Sequence, residues 1–298
     1  MLPATAKMFA LVRSLSARRE VTEIAVSRWL VQRHNLASLA ALAGVARCRD
    51  DLAAATVRWI AIAREVPELV TRLGDANVGV APIKGVAYAM GLYSTPAARP
   101  MTDVDLLVEP GRERDARRVL DRAGFRLVGD MPLHHASTWE RGELTIDLHR
   151  NILAAGRSAI AMDDVWSRTR AGWPDGARRL ESVDELVFHF VHMARNRLCG
   201  PLIQVVDAAR LVEHASVDAA IDRASEWHIA AAVGTAAAFC AWVLGDGIRP
   251  SLAPSDDDLA FAYQPPPLHK LRFDVATAGS ARPIAMRLLA ASVQRFYR

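Results

Sequence analysis

Two aspartates separated by one residue lie inside an apolar run of this 298-residue chain. Asp103 and Asp105 occur in the segment RPMTDVDLLV, whose other residues are typical of a buried strand. Ionised carboxylates are costly to remove from water, so their presence in such a strand requires a compensating partner. Alternate residues of a strand share a face, which predicts that the two side chains converge. They then repel each other unless a cation lies between them.

A third carboxylate occurs in a second apolar run, LTIDLHR. Strand alternation places Thr145, Asp147 and His149 on one face and Ile146 and Leu148 on the other. If the two strands are neighbours, three carboxylates surround one site, enough for two cations. Oxygen ligands favour Mg²⁺ or Mn²⁺ over zinc, and Mg²⁺ completes its shell with phosphate oxygens. The pattern indicates phosphoryl or nucleotidyl transfer, whereas the alternative for Asp147 is an ion pair with an arginine.

The segment PIKG offers features that a triphosphate requires. Gly85 stands where a short β-branched run gives way to a helical pattern, so the backbone can approach an anion closely. The amides at the start of that helix would point at the anion, and Lys84 adds a positive charge. The nucleotide-binding patterns GxxxxGK[ST] and GxGxxG are both absent.

Other polar residues near these motifs each allow two interpretations. Arg99 either contacts a phosphate through two hydrogen bonds or forms an internal ion pair with one of the aspartates. His149 either contacts the acceptor or the surroundings of a metal, or is a hydrogen-bonded residue at a strand end. His134 and His135 are predicted to lie in a loop between the extended runs.

The region after residue 183 is predicted to be a series of helices, and it contains three polar residues of interest. His189 and His192 lie on neighbouring turns, which favours packing or substrate contact, since no HExxH motif or nearby acid completes a zinc site. Asp207 has apolar neighbours, so it either pairs with Arg195 or Arg197 or binds substrate.

The periodicity of the apolar residues changes along the chain. Helical spacing dominates before residue 76 and after about residue 159, and extended segments are confined to about 77–150. We therefore predict an α+β fold in which a small mixed β-sheet is flanked by N-terminal helices and a C-terminal helical bundle. The predicted domains are 1–76, 77–155 and 156–298, with a linker at 249–270 and a last helix at 282–297.

The composition limits the class of protein. The chain is 51% hydrophobic, with 37 basic and 33 acidic residues. The basic residues are spread out, with no dense stripe interleaved with aromatics, so RNA is possible as a partner but not favoured. Three distant cysteines argue against a zinc module and disulfides, and no signal peptide is indicated. Residues 229–245 are Ala-rich and predict a packed helix rather than a membrane span. These features favour a cytoplasmic protein without a membrane partner.

An ordered set of motifs resembles the nucleotidyltransferases of the DNA polymerase β superfamily. The closest fit is the bacterial group of uncharacterised nucleotidyltransferases, whose pattern runs K-G, L-Y, R-P-x-x-D-x-D-L-L-V, L-x-x-x-G-[FY] and D-L-H. The match covers about residues 77–150, and a looser similarity continues through residues 184–214. The corresponding segments here are Lys84-Gly85, Leu92-Tyr93, Arg99 to Val108, ARRVLDRAGF and IDLHR.

This resemblance implies transfer of a nucleoside monophosphate from a nucleoside triphosphate to an acceptor, with release of pyrophosphate. Asp103, Asp105 and Asp147 would hold the metal ions, and Asp147 would also help to deprotonate the acceptor. Lys84 and Gly85 would contact the triphosphate. Many superfamily members have a serine after this glycine, but Val86 follows here. Phosphate affinity must then come from the backbone, Lys84 and Arg99. A small molecule, a protein side chain and a tRNA 3′ end are all compatible acceptors, and the oligomeric state is not indicated.

Two other functions are compatible with parts of the pattern. One is a non-catalytic nucleotide-binding or regulatory module on the same fold, which the absent serine favours and the three acids argue against. The other is a glycosyltransferase, since many use a DxD pair to hold Mn²⁺ and a nucleotide diphosphate. In those folds about three βα units precede the DxD, whereas a single strand is predicted here, so this function is less favoured.

Overall fold

The computed structural model describes residues 3–130, 134–153, 159–261 and 267–277. Four helices precede the sheet, and the last of them is long. Its buried residues, including Ile62, Val66, Leu69 and Leu73, recur at helical spacing and form one apolar face. The four helices are α1 (Pro3–Ser16), α2 (Arg28–Arg33), α3 (Ala37–Leu42) and α4 (Arg49–Asp75).

A five-stranded mixed sheet forms the centre of the molecule, with strand order β1-β2-β5-β4-β3. Strands β2 and β5 are parallel, and the other neighbours are antiparallel. Helix α5 follows β1 and α6 follows β2. This arrangement confirms the predicted α+β fold with a mixed sheet between helices. The bounds are β1 (Val80–Ile83), α5 (Gly85–Leu92), β2 (Val104–Val108), α6 (Glu113–Arg122), β3 (Arg126–Asp130), β4 (Ala136–Arg141) and β5 (Leu144–His149).

The central strands are buried on one face by α4 and α6. Leu106 of β2 and Leu148 of β5 belong to an apolar core that includes residues of both helices. Successive strand residues point to opposite faces, so Asp105 and Asp147 emerge on the other side of the sheet. The apolar alternation therefore fixes the register and directs both carboxylates to one face.

The C-terminal part of the described chain is mostly helical. Helices α8 to α11 lie where the periodicity predicts them, and they share an apolar core with α1 that contains Phe9, Phe190 and Phe239. The elements are α7 (Met162–Ser167), β6 (Arg170–Ala171), β7 (Arg178–Arg179), α8 (Ser182–Arg195), α9 (Ile203–Leu211), α10 (Val217–Glu226), α11 (Ala230–Leu244), α12 (Asp256–Phe261) and α13 (Pro267–Ala276).

Three structural expectations need correction or qualification. Strand β4 begins directly after His134 and His135, where a loop between extended runs was expected, because its sequence ASTWER lacks a strong β-branched pattern. Strands β6 and β7 form a small ribbon outside 77–150. The expected linker at 249–270 contains α12 and the start of α13. The helix expected at 282–297 lies outside the described residues, as does residue 155, the expected end of the central domain.

Two further observations concern the described helices and the cysteines. None of the helices in the described ranges combines the length and apolarity needed to cross a bilayer. Cys48, Cys199 and Cys240 are buried free thiols.

Candidate active site

The three aspartates lie together at one end of the parallel strand pair. Asp105 is directly opposite Asp147 in the register of β2 and β5, which confirms that the two strands are neighbours. Strand β2 begins at Val104, so Asp103 lies in the preceding loop rather than in the strand itself. Burial raises the pKa of Asp103, and the charges of Asp105 and Asp147 raise it further. This mutual repulsion is what a site that attracts a cation requires.

Asp105 is the most buried of the three carboxylates and has two basic neighbours. Lys84 Nζ donates to Asp105 Oδ1 at 2.6 Å, and His149 Nε2 lies 2.7 Å from the same oxygen. Burial opposes ionisation of Asp105, but the Lys84 ammonium and the His149 contact outweigh it and hold its pKa well below the usual range. Burial and the charge of Lys84 lower the pKa of His149. Asp147 is half-buried and accepts a hydrogen bond from the Thr138 hydroxyl at 2.7 Å.

A sharp turn between β1 and α5 brings Lys84 to this position. Lys84 has φ +53° and ψ −125°, a conformation that costs a non-glycine residue about 1–3 kcal/mol. Gly85 is the first residue of α5, and a Cβ there would lie 3.4 Å from the Cβ of Met101. The loop before β2 thus lies within van der Waals distance of the start of α5.

Arg99 forms a buried ion pair, as one of its two interpretations predicts, but its partner is Asp207. Its Nε and Nη2 atoms donate to the Asp207 carboxylate, with Nη2 to Oδ2 at 2.8 Å. The Tyr93 hydroxyl donates to the same carboxylate at 2.6 Å. The expectation that Asp207 pairs with Arg195 or Arg197 is wrong, because the loop that carries Arg99 packs directly on α9. Contact of Arg99 with a nucleotide stays a prediction.

A basic side chain that the sequence did not single out for the site, Arg195, lies on the other side of the cleft. Arg195, at the end of α8, forms a hydrogen bond with His135 Nε2. The ring of His135 lies 5.2 Å from the ring of His149, centroid to centroid. The first residue of β4, Ala136, pairs with His149, and this pairing brings the preceding residue, His135, beside His149. This position of His135 could not be predicted without β4. His189 has a packing role, since its Nε2 bonds the backbone oxygen of Gln204 at 2.8 Å.

All six residues that the sequence singled out for the site line one cleft of about 170 Å³. Helices α8 and α9 supply part of the remaining wall, including His192 and Arg195. The cleft therefore combines a carboxylate floor with basic groups from the start of α5 and the end of α8. The six residues are Lys84, Gly85, Arg99, Asp103, Asp105 and Asp147.

Three side chains on this floor are arranged so that they could hold a metal ion. Potential ligand atoms of Asp105, Asp147 and His149 lie within 4.8 Å of one another. Two carboxylates suit Mg²⁺ or Mn²⁺, whereas an imidazole ligand also suits metals such as zinc and iron. The donor set thus fits either ion, provided that the Lys84 ammonium moves away from Asp105.

Comparison with known proteins supports the resemblance seen in the motifs. One solved structure similar to this chain is the solution structure of the antibiotic-resistance factor ANT(2″)-Ia, at 12% identity over 56% of this chain and 91% of that one. The TM-score between the two structures is 0.41. No curated protein sequence matches the chain significantly. The model of one family matches residues 15–245, which is well over half of the chain. The chain therefore belongs to the family of uncharacterised nucleotidyltransferases.

Proposed function

We propose that this protein transfers a nucleoside monophosphate from a nucleoside triphosphate to an acceptor, with Mg²⁺ or Mn²⁺ as cofactor and pyrophosphate as the leaving product. The acceptor is a small molecule, a protein or an RNA. The observation that carries the proposal is the register of Asp105 opposite Asp147, with Asp103 beside them in the same cleft as Lys84.

The carboxylate floor supports the metal dependence. Asp103, Asp105 and Asp147 would hold the cation, and His149 is close enough to join them. When bound, a divalent cation supplies charge neutralisation of the phosphates and of the carboxylates themselves. Lys84 would then be released from Asp105 and would be available to a phosphate oxygen.

The chain's own groups account for the remaining requirements of the reaction. A bond forms between the acceptor atom and the α-phosphorus, and the bond from that phosphorus to the pyrophosphate oxygen breaks. Asp147 is half-buried and held by Thr138, so it is positioned to accept the proton of the acceptor. The start of α5 presents backbone amides beside Gly85 to the phosphates.

The two competing functions are less well supported. A non-catalytic module has no need to keep Asp103, whose pKa is raised by burial and by the charges of Asp105 and Asp147, beside two other carboxylates. For the glycosyltransferase, a single strand, β1, precedes the DxD within the described residues. That order differs from the several βα units expected before a DxD in such enzymes.

Calorimetric titration with non-hydrolysable analogues of the four nucleoside triphosphates tests the proposal. We expect binding that requires Mg²⁺ or Mn²⁺, and about tenfold or greater weakening in Asp147→Asn, because the amide is a poorer ligand. Asp130→Asn is the matched control, since Asp130 ends β3 and pairs with Arg117. Equal metal-dependent binding by the wild type and Asp147→Asn would contradict the metal site, and absence of binding would contradict the proposal as a whole.

A further inference from the structure

Three cationic side chains line the cleft, and they differ in their partners. Lys84 is paired with Asp105, and Arg99 is paired with Asp207. Arg195 is half-buried, yet within the described ranges no carboxylate oxygen lies at salt-bridge distance from it. Its side chain is close enough to Asp105 and Asp147 for their charges to stabilise it, while burial lowers its pKa.

The partner that Arg195 does have is neutral. His135 accepts a hydrogen bond from Arg195 Nη1 through Nε2. Because Nε2 accepts this hydrogen bond, the imidazole is neutral and supplies no counter-charge to the guanidinium. A guanidinium has five N–H donors in a planar fork, and His135 occupies one of them. Several donors of Arg195 are therefore left for a ligand in the cleft.

We propose that Arg195 binds the triphosphate of the nucleotide and that His135 is the positioning residue that orients it. The proposal rests on the proposed function, because it requires a nucleoside triphosphate in the same cleft. A planar guanidinium recognises phosphate oxygens through paired hydrogen bonds. An anion there would add direct compensation to a half-buried charge that has no carboxylate at salt-bridge distance among the described residues.

The sequence of the turn at Gly85 gives an independent reason for this assignment. Gly85 is followed by Val86, which has no hydroxyl to donate to a phosphate oxygen. Arg99 is engaged by Asp207 through two of its nitrogen atoms. Arg195 approaches the cleft from the end of α8, whereas Lys84 approaches from the start of α5. The two cations thus reach the phosphates from different elements.

The test compares the binding of inorganic tripolyphosphate, a non-hydrolysable nucleoside triphosphate and the corresponding nucleoside, each with Mn²⁺, by calorimetry. We expect Arg195→Met to weaken both phosphate ligands about 10- to 100-fold, as for the loss of a charged hydrogen-bond donor, and to leave the nucleoside unchanged. Arg195→Lys retains the charge and should recover part of the affinity. Arg197→Met is the control, since Arg197 pairs with Asp274.

The role of His135 is tested by two substitutions. His135→Gln retains an acceptor atom near the position of Nε2, whereas His135→Phe retains the ring and removes the acceptor. We expect the Phe variant to weaken tripolyphosphate binding severalfold and the Gln variant to bind nearly as the wild type does. Equal binding by both variants would overturn the positioning role.

The outcomes separate this proposal from the proposed function. Metal-dependent triphosphate binding that is the same in the wild type and Arg195→Met would overturn the role of Arg195 and leave the proposed function standing. If Arg195→Met instead bound tripolyphosphate as the wild type does but transferred less α-phosphate label to a cell extract, Arg195 would contact the acceptor and the triphosphate assignment would be wrong. A wild-type chain that binds no triphosphate would overturn both.

Discussion

The buried ion pair between Arg99 and Asp207 allows a quantitative prediction for Asp207→Asn. Asp207 has no exposed surface, and the Arg99 side chain is 11% exposed. The substitution retains the shape of the side chain but leaves the guanidinium without a counter-ion. Removal of one partner of a buried pair costs about 3–5 kcal/mol. We expect the free energy of unfolding to fall by this amount. The contacts that Arg99 would keep, to the amide introduced at position 207 and to the Pro100 carbonyl, are neutral and compensate its positive charge little.

Urea unfolding followed by tryptophan fluorescence and circular dichroism measures this loss. The control is Glu213→Gln, since the pair of Glu213 with Arg18 is 43% and 59% exposed and should be worth about 0–1 kcal/mol. Combining Asp207→Asn with Arg99→Met removes both charges and should cost less than the two single losses added together. A loss below about 1 kcal/mol in Asp207→Asn would refute the reasoning that this pair is desolvated and interdependent.

Three further predictions concern a histidine, two glycines and a lysine. Burial lowers the pKa of His34 to about 4, so the unfolded chain binds a proton below pH 6.5 that the folded chain does not. The free energy of unfolding should fall by about 3 kcal/mol as the pH is lowered from about 6.5 to 4. Urea titrations of His34→Asn over the same pH range should lack this decrease. A Cβ at Gly79 would lie 2.5 Å from a ring carbon of Trp166, so Gly79→Ala should lower the thermal midpoint through a loss of about 1–3 kcal/mol. Gly74 has open space around it, and Gly74→Ala should stabilise α4 by about 0.5 kcal/mol. Lys84→Met should tighten Mn²⁺ binding in the absence of nucleotide about tenfold, measured by electron paramagnetic resonance, because the ammonium competes for Asp105. An unchanged Mn²⁺ affinity would argue against that competition.

The carboxylate floor of the site could be predicted from the sequence, because the residues that indicate it are close together in the chain. The alternation of apolar and polar residues around Asp105 and around Asp147 predicts which face of its strand each carboxylate occupies. The apolar residues of the two strands fix their register. The helices α8 to α11 follow from helical periodicity in the same way.

The partners of the basic residues depend on contacts between distant segments, which periodicity does not encode. Arg99 and Asp207 are 108 residues apart, and their pairing is decided by how the loop before β2 packs on α9. His135 and Arg195 meet across 60 residues. Their contact depends on β4, whose polar sequence resembles a loop until it pairs with β5.

The most direct measurement of the central claim compares nucleoside triphosphates labelled at the α- or the γ-phosphate. Each is incubated with a cell extract, Mg²⁺ or Mn²⁺, and either the wild-type protein or Asp147→Asn, with Asp130→Asn as the control. We predict that the α-label becomes attached to a small-molecule, protein or RNA fraction and that the γ-label is released as pyrophosphate. Both results should be lost in Asp147→Asn and retained in Asp130→Asn. Triphosphate binding with no transfer of the α-label in any fraction would contradict the account and favour a non-catalytic module.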